Sequence, residues 1–199
     1  MFICQMKNTF EEEIEKLHNT YCRFERENIP YRQQAFCKPG CSFCCTFMGN
    51  IDIVTLEGLI ILEHIESQPE EFHAALKNII SENRTEKEKG NKPPCPFLKE
   101  DNTCLIYAVR PFSCRQLYSV RECGDSGPMA HRQAVESARS TVREIQQLDD
   151  TGYSGHISFI LQLLANTSFR KLYLSGGFAP ERIKEFGKTH GLIINRFAK

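Results

Sequence analysis

Apolar residues recur at helical spacing along most of this chain. Phe10, Ile14, Leu17, Tyr21 and Phe24 fall three or four residues apart, the pattern of one buried helix face. Thr9 and Glu12 in "TFEE" have capping-box spacing, so a first helix is predicted to open there, and Pro30 to end its segment. Residues 35–50 then read as a loop, with Pro39 and Gly40 forcing a turn. "NIDIV" predicts a short strand or an extended entry, and Thr55 an N-cap for "LEGLIILEHIES". Ser67 and Glu70 in "SQPE" form a second capping box, ahead of a helix carrying Phe72, Leu76, Ile79 and Ile80 on one face. Its charged tail, "SENRTEKEKGNK", reads as a solvated end running into a linker. Three more helices are predicted: about 129–149, about 155–175 with Ile157, Ile160, Leu161 and Leu164 in the core, and 180–190 between Pro180 and Gly191. "TGYSG", residues 151–155, reads as a flexible loop by composition. No internal repeat is present.

Two irregular segments, 35–50 and 93–123, therefore flank a helical pair at 55–89. A hairpin of two helices returns the chain near its start, so Cys95 is expected beside Cys45 despite fifty intervening residues. The expected fold is a mostly α, compact helical domain with two cysteine-rich irregular segments around a metal site. We read residues 1–199 as a single domain, with 35–125 as its cysteine-cluster core and 126–199 as a C-terminal helical extension.

Composition is that of a globular protein, 41% hydrophobic and 25% charged over 199 residues. Lys+Arg and Asp+Glu both number 25. A net charge of zero argues against a nucleic-acid partner gripped by bulk electrostatics, though a local basic patch stays open. "MFICQMKNTFEEE" lacks the basic and apolar regions of a signal peptide. The longest apolar stretches, "GLIILEHI" and "ISFILQLLA", are interrupted by Glu63 and Gln162 and fall far short of the ~20 residues that span a bilayer. No membrane is expected, and the location is read as cytoplasmic. Partner protein or small molecule, and oligomeric state, are not encoded in any feature of the sequence.

Ten cysteines change the picture. "CKPGCSFCC" puts Cys37, Cys41, Cys44 and Cys45 into nine positions, and "PPCPFLKEDNTCLIYAVRPFSCRQLYSVREC" adds Cys95, Cys104, Cys114 and Cys123. In a reducing compartment such clusters bind metal or do redox chemistry sooner than they form disulfides. Cys41-x2-Cys44 has dithiol spacing, but a thioredoxin-like enzyme needs a βαβ pattern, and none is visible. Soft thiolates select zinc, copper(I) or iron–sulfur clusters, and short spacings let one loop aim several sulfurs at one centre. Cys4 and Cys22 lie outside the cluster and read as small hydrophobes. Arg110 and Arg115 bracket Cys114, where they could offset the excess negative charge of four thiolates, or pair with Glu100 or Glu122 at the surface. Tyr107 is expected to pack in the core. His64, His73 and His156 read as satisfied helix residues, and His131 lies nearest the second cysteine segment.

"CKPGCSFCC", "CPFL" and "CLIYAVRPFSCR" together resemble the YkgJ-type cysteine-cluster family, also described as a zinc- or iron-chelating domain. Cys37, Cys41, Cys44, Cys45, Cys95, Cys104 and Cys114 match its pattern, as do Tyr107, Arg110, Pro111 and Arg115, over roughly residues 35–125. The first gap holds three residues here rather than the commoner two. The resemblance implies a metal centre in a mostly helical protein with no assured reaction. Flagellin lysine methylases are similar in the cysteine motif. The resulting expectation is a metal-binding protein holding an iron–sulfur cluster, favoured by the crowded first segment, or zinc. Alternatives are an iron–sulfur enzyme in electron transfer or S-adenosylmethionine-dependent protein modification, and a structural zinc protein. A standard radical enzyme would need alternating strands and helices, which the pattern lacks.

Overall fold

The computed structural model describes residues 2–177, 184 and 187–195, with side chains from residue 10 onward. The protein is predominantly helical, as the apolar periodicity predicts. In chain order come α1 (Phe2–Glu27), α2 (Ile29–Arg32), a π-helical turn (Cys44–Met48), β1 (Asp52–Val54), α3 (Thr55–Glu66) and α4 (Glu70–Glu88). A 3-10 turn (Tyr107–Val109), α5 (Phe112–Arg115), α6 (Arg132–Leu148), β2 (Tyr153–His156), α7 (Ile157–Ala165), α8 (Thr167–Leu174) and β3 (Ile193–Ile194) follow.

Two apolar clusters meet at α3. Leu17, Tyr21 and Phe24 of α1 pack with Ala138 and Ile145 of α6 and with Leu56 and Phe112. Leu59, Ile61 and Ile65 of α3 pack instead with Ile157, Ile160, Leu161 and Leu164 of α7. Burying both faces of α3 explains why its sequence is apolar nearly all round. Gly58 lets α3 and α7 approach closely. A Cβ there would lie 2.7 Å from Ile160 Cγ2 and 2.9 Å from Leu164 Cδ1.

Several boundaries differ from expectation. α1 spans Phe2–Glu27, so Thr9 lies within the helix rather than at its start. Ser67 does not open α4. It closes α3 by donating its hydroxyl to the His64 carbonyl, and Pro69 precedes the first turn of α4. "TGYSG" is no flexible loop: its last residues form β2, buried throughout and paired on both sides in a sheet of order β1-β2-β3. Ile53 lies opposite Gly155, and Tyr153 opposite Ile194, both antiparallel. Nothing in the short, small-residue run Tyr153–His156 alternates, so only its neighbours make it a strand. The segment expected as one helix over 155–175 is instead β2, α7 and α8, with Asn166 capping α8 through the Ser168 and Phe169 amides. Most of the helix expected at 180–190 lies outside the described residues; 187–190 are helical.

A buried carboxylate ties these elements together. Asp149, just past α6, accepts the Thr55 hydroxyl at 2.7 Å, the Leu56 N–H at 3.0 Å, the Tyr173 hydroxyl at 2.8 Å and the Asn195 amide at 3.2 Å. It thereby joins the first turn of α3 to α6, α8 and the end of β3. Burial raises its pKa from 3.8 to about 7, against the pull of those donors.

Two outcomes are expected. Gly58→Ala should destabilise the fold by roughly 1–3 kcal/mol, because overpacking exceeds the gain in helix propensity; urea unfolding measures it. Between about pH 4 and about pH 7 the unfolded chain releases the Asp149 proton while the folded chain keeps it, so this group's contribution to stability falls as pH rises. The stability of the protein relative to Asp149→Asn should therefore decline across that window. A difference that does not change with pH would show that Asp149 is ionised throughout.

Candidate metal centre

The first cysteine segment is short of apolar residues and is shaped by ties to the rest of the protein. At its start the Phe36 N–H donates to the Ser119 carbonyl at 2.7 Å, and the Ser119 N–H donates to Cys37 Sγ at 3.3 Å. Lys38–Cys41 is a turn, closed by the Cys41 N–H on the Lys38 carbonyl at 3.0 Å, with Gly40 at φ +84°. The additional residue in the first cysteine gap is taken up in this exposed turn, where Gly is at ease. Ser42 donates its hydroxyl to Asn102 in the second segment at 2.8 Å. The Cys44–Met48 turn ends at Gly49, φ +61°, whose carbonyl accepts the Lys87 ammonium at 2.7 Å and faces His156 Nε2 at 3.1 Å. Burial, aided by the Lys87 charge, lowers the His156 pKa to about 4, so the ring is a neutral tie.

The second segment is a tight hairpin followed by a short helix. The expected return of the chain occurs: the Cys95 N–H donates to the Cys45 carbonyl at 2.7 Å. Leu98 bridges Cys104, the Leu105 N–H reaches the Phe97 carbonyl at 2.9 Å, and Asp101 caps the tip through the Thr103 amide and hydroxyl. Phe97, fully buried, anchors this hairpin in the core. Cys95, Cys104 and Cys114 pack against the same apolar cluster. Beyond Pro111, α5 is held by Glu57. That buried carboxylate accepts the Phe112 N–H at 2.7 Å, the Val54 N–H at 3.0 Å and the Tyr21 hydroxyl. Phe112 stacks edge-on against Phe24 with ring centres 4.7 Å apart. The turn bearing Cys114 is thus bolted to α1 and α3.

All the described cysteines are free thiols. Burial pushes Cys44 up to about 11, and the fields of Cys123, Cys37, Cys45 and Cys41 add to it. Burial, then Cys104 and Cys41, raises Cys45. Cys95 rises to about 12 by burial, with Cys45 and Cys104 adding and the Phe97 and Leu98 amides opposing. Burial raises Cys104 against the Ile106 amide and the Arg110 charge. Cys114 is raised by burial and then by Cys95, Cys45 and Cys104. Cys45, Cys95, Cys104 and Cys114, from two remote stretches, thus raise one another's pKa in part, as Cys123, Cys37 and Cys41 do for Cys44. Among the described residues, no group of three or more His, Cys, Asp or Glu side chains stands as a ready-made metal cage. Protonated thiols have no charge to share with an ion and no cause to close further; thiolates do, once a cation compensates them. Amides directed at Cys37, Cys95 and Cys104 are the hydrogen bonds that metal-bound thiolates use. The donor set fits a thiophilic metal.

Other candidates lie as follows. Arg110 stacks on the Tyr107 ring at 4.0 Å and favours the Cys104 thiolate. Arg115 pairs with Glu25 at 3.0 Å, donates to the Arg110 carbonyl and lies over Tyr21. Tyr107 is 64% exposed rather than packed in the core. His131 faces the Tyr118 hydroxyl at 3.1 Å. Cys22 is exposed on α1, outside the cluster, and the side chain of Cys4 lies outside the described ones. Sequence reasoning missed Glu57, whose only signal was an acid at the third position of an otherwise apolar helix. It also missed Ser119, whose contribution is a backbone amide.

These features define a class: a predominantly helical protein with two cysteine-rich segments joined by the Cys95–Cys45 backbone hydrogen bond. Residues 36–150 match the CxxCxxCC family, described as a candidate zinc- or iron-chelating domain. The chain belongs to that family, and by family it is a metal-binding protein. The match extends past the last cysteine through α6. No curated protein and no solved structure matches the chain. Among the described residues, no helix is long and apolar enough to cross a membrane.

Glu57→Gln replaces one accepting oxygen with an N–H2, which then faces either the Val54 N–H or the Phe112 N–H and the Tyr21 hydroxyl. It should cost about 2–4 kcal/mol in urea unfolding and loosen metal retention through the Cys114 turn. Tyr21→Phe removes one donor and should cost less. A Glu57→Gln protein as stable as the parent would remove Glu57 from the scaffold of that turn.

Proposed function

We propose that this chain holds a metal centre on cysteine thiolates, drawn from Cys37, Cys41, Cys44, Cys45, Cys95, Cys104, Cys114 and Cys123, within a reducing cytoplasmic compartment. The observation that carries this is the hydrogen bond from Cys95 to the Cys45 carbonyl at 2.7 Å, which joins the two cysteine segments in one neighbourhood. Free thiols throughout the described chain suit that compartment. Zinc and an iron–sulfur cluster both accept such a set; four thiols within residues 37–45 favour the cluster. Arg110 serves the site by favouring the Cys104 thiolate.

The reading is of a metal-binding centre with no reaction assigned. One cleft, of 650 Å³, lies between α1 and α6 and is lined by Lys16, Arg23 and Glu144 among others. Another, of 340 Å³, lies between α3, α4 and α7 and is lined by Leu62, Leu76 and Leu161 among others. None of the eight thiols lines either of these clefts.

Protein purified without oxygen should be brown and contain acid-labile sulfide if it holds the cluster, and colourless with bound zinc if it holds zinc. Less than a trace of either metal would end this reading. Cys114→Ser should lower both metal content and melting temperature, since metal-binding energy is partly folding energy. Unchanged values in that variant would take Cys114 off the ligand list.

A further inference from the structure

The eight thiols are not equivalent, and their surroundings divide them. Cys45 is joined to Cys95 through the backbone, and Cys95, Cys104 and Cys114 each pack against the same apolar core cluster. Cys37 is joined instead to Ser119, four residues before Cys123. Cys37 and Cys41 are exposed, beside Phe36 and Phe47, which are exposed as well.

The doublet itself gives the reason. Cys44 and Cys45 are consecutive on a helical turn, where neighbouring side chains leave the axis roughly 80–100° apart. One small ion could take both only if the turn unwound. Two ions could take one each with the turn intact. We propose that the chain carries two separate thiolate centres, an inner one on Cys45, Cys95, Cys104 and Cys114 and an outer one on Cys37, Cys41, Cys44 and Cys123. This rests on the metal-binding reading above and subdivides it. Four thiolates complete a tetrahedral shell, so each set is sufficient without the other. The inner centre is part of the core and its metal contributes to folding. The outer centre sits at the surface, where its metal exchanges with solvent.

The test uses the full chain loaded with zinc under reducing, oxygen-free conditions. Zinc per chain is measured by elemental analysis, with melting temperature alongside. The parent protein should hold two zinc ions, and a chelator should remove one of them first without loss of helical circular dichroism. Cys41→Ser and Cys123→Ser should each retain one zinc and melt close to the parent. Cys95→Ser and Cys104→Ser should lose one zinc and melt far lower. If those inner variants do not fold, the outer pair decides alone. One zinc per chain in the parent overturns the proposal, as does an outer variant that loses both ions or neither. A parent chain that takes up no zinc, iron or sulfide overturns the metal-binding reading itself, a result distinct from a count of one.

Discussion

The first turn of α3 is the constraint on which the rest of the structure depends. Two buried carboxylates converge on it, Glu57 from within the helix and Asp149 from the end of α6. A buried carboxylate is costly unless donors surround it, and a helix start supplies unpaired N–H groups. Glu57 takes the Val54 amide and Asp149 the Leu56 amide. Each then recruits partners from elsewhere: Tyr21 and the Phe112 amide for Glu57, Tyr173 and Asn195 for Asp149. Moving α1, α5, α6 or α8 would strand one of these groups, so the polar hub selects one arrangement of otherwise interchangeable apolar helices.

The cysteine segments inherit their positions from this hub. Their buried apolar side chains, Phe97, Ile106, Phe112 and Tyr118, all come from the second segment. Their path is set by single hydrogen bonds to Ser119, Lys87, Asn102 and His156, and by the pairing of Cys45 with Cys95. Ties of this kind fix where the backbone runs while leaving side chains free to rotate. Such a site can gather thiols in the protonated state and draw them inward when a cation replaces the protons.

Membership in a metal-chelating family and the surroundings of the thiols agree on the chemistry at issue. Tyr21 illustrates how the helical body supports it. Its hydroxyl donates to Glu57, its ring lies beneath the Arg115 guanidinium, and it stacks on Phe112. One residue of α1, ninety positions upstream, thus steadies both flanks of Cys114. Arg115 in turn pairs with Glu25 of the same helix, while Arg110 lies over the Tyr107 ring and its charge favours the Cys104 thiolate.

Helical character was legible in the sequence because it follows from local periodicity: Leu17, Tyr21 and Phe24, or Ile157, Ile160 and Leu164, mark their faces without reference to the rest of the chain. The cysteine motifs were equally legible, since a spacing is a local property, and they identified the family. The start of α1 and the strand at Tyr153–His156 were not, because caps and strands depend on partners that come from elsewhere. The tertiary structure alone decided that Glu57 is a scaffold, that Tyr107 faces solvent, that Arg115 serves Glu25, and which thiols are neighbours. Each of these is a contact between residues far apart in sequence, and a pattern read along one dimension carries no information on which distant donor will reach a buried acceptor.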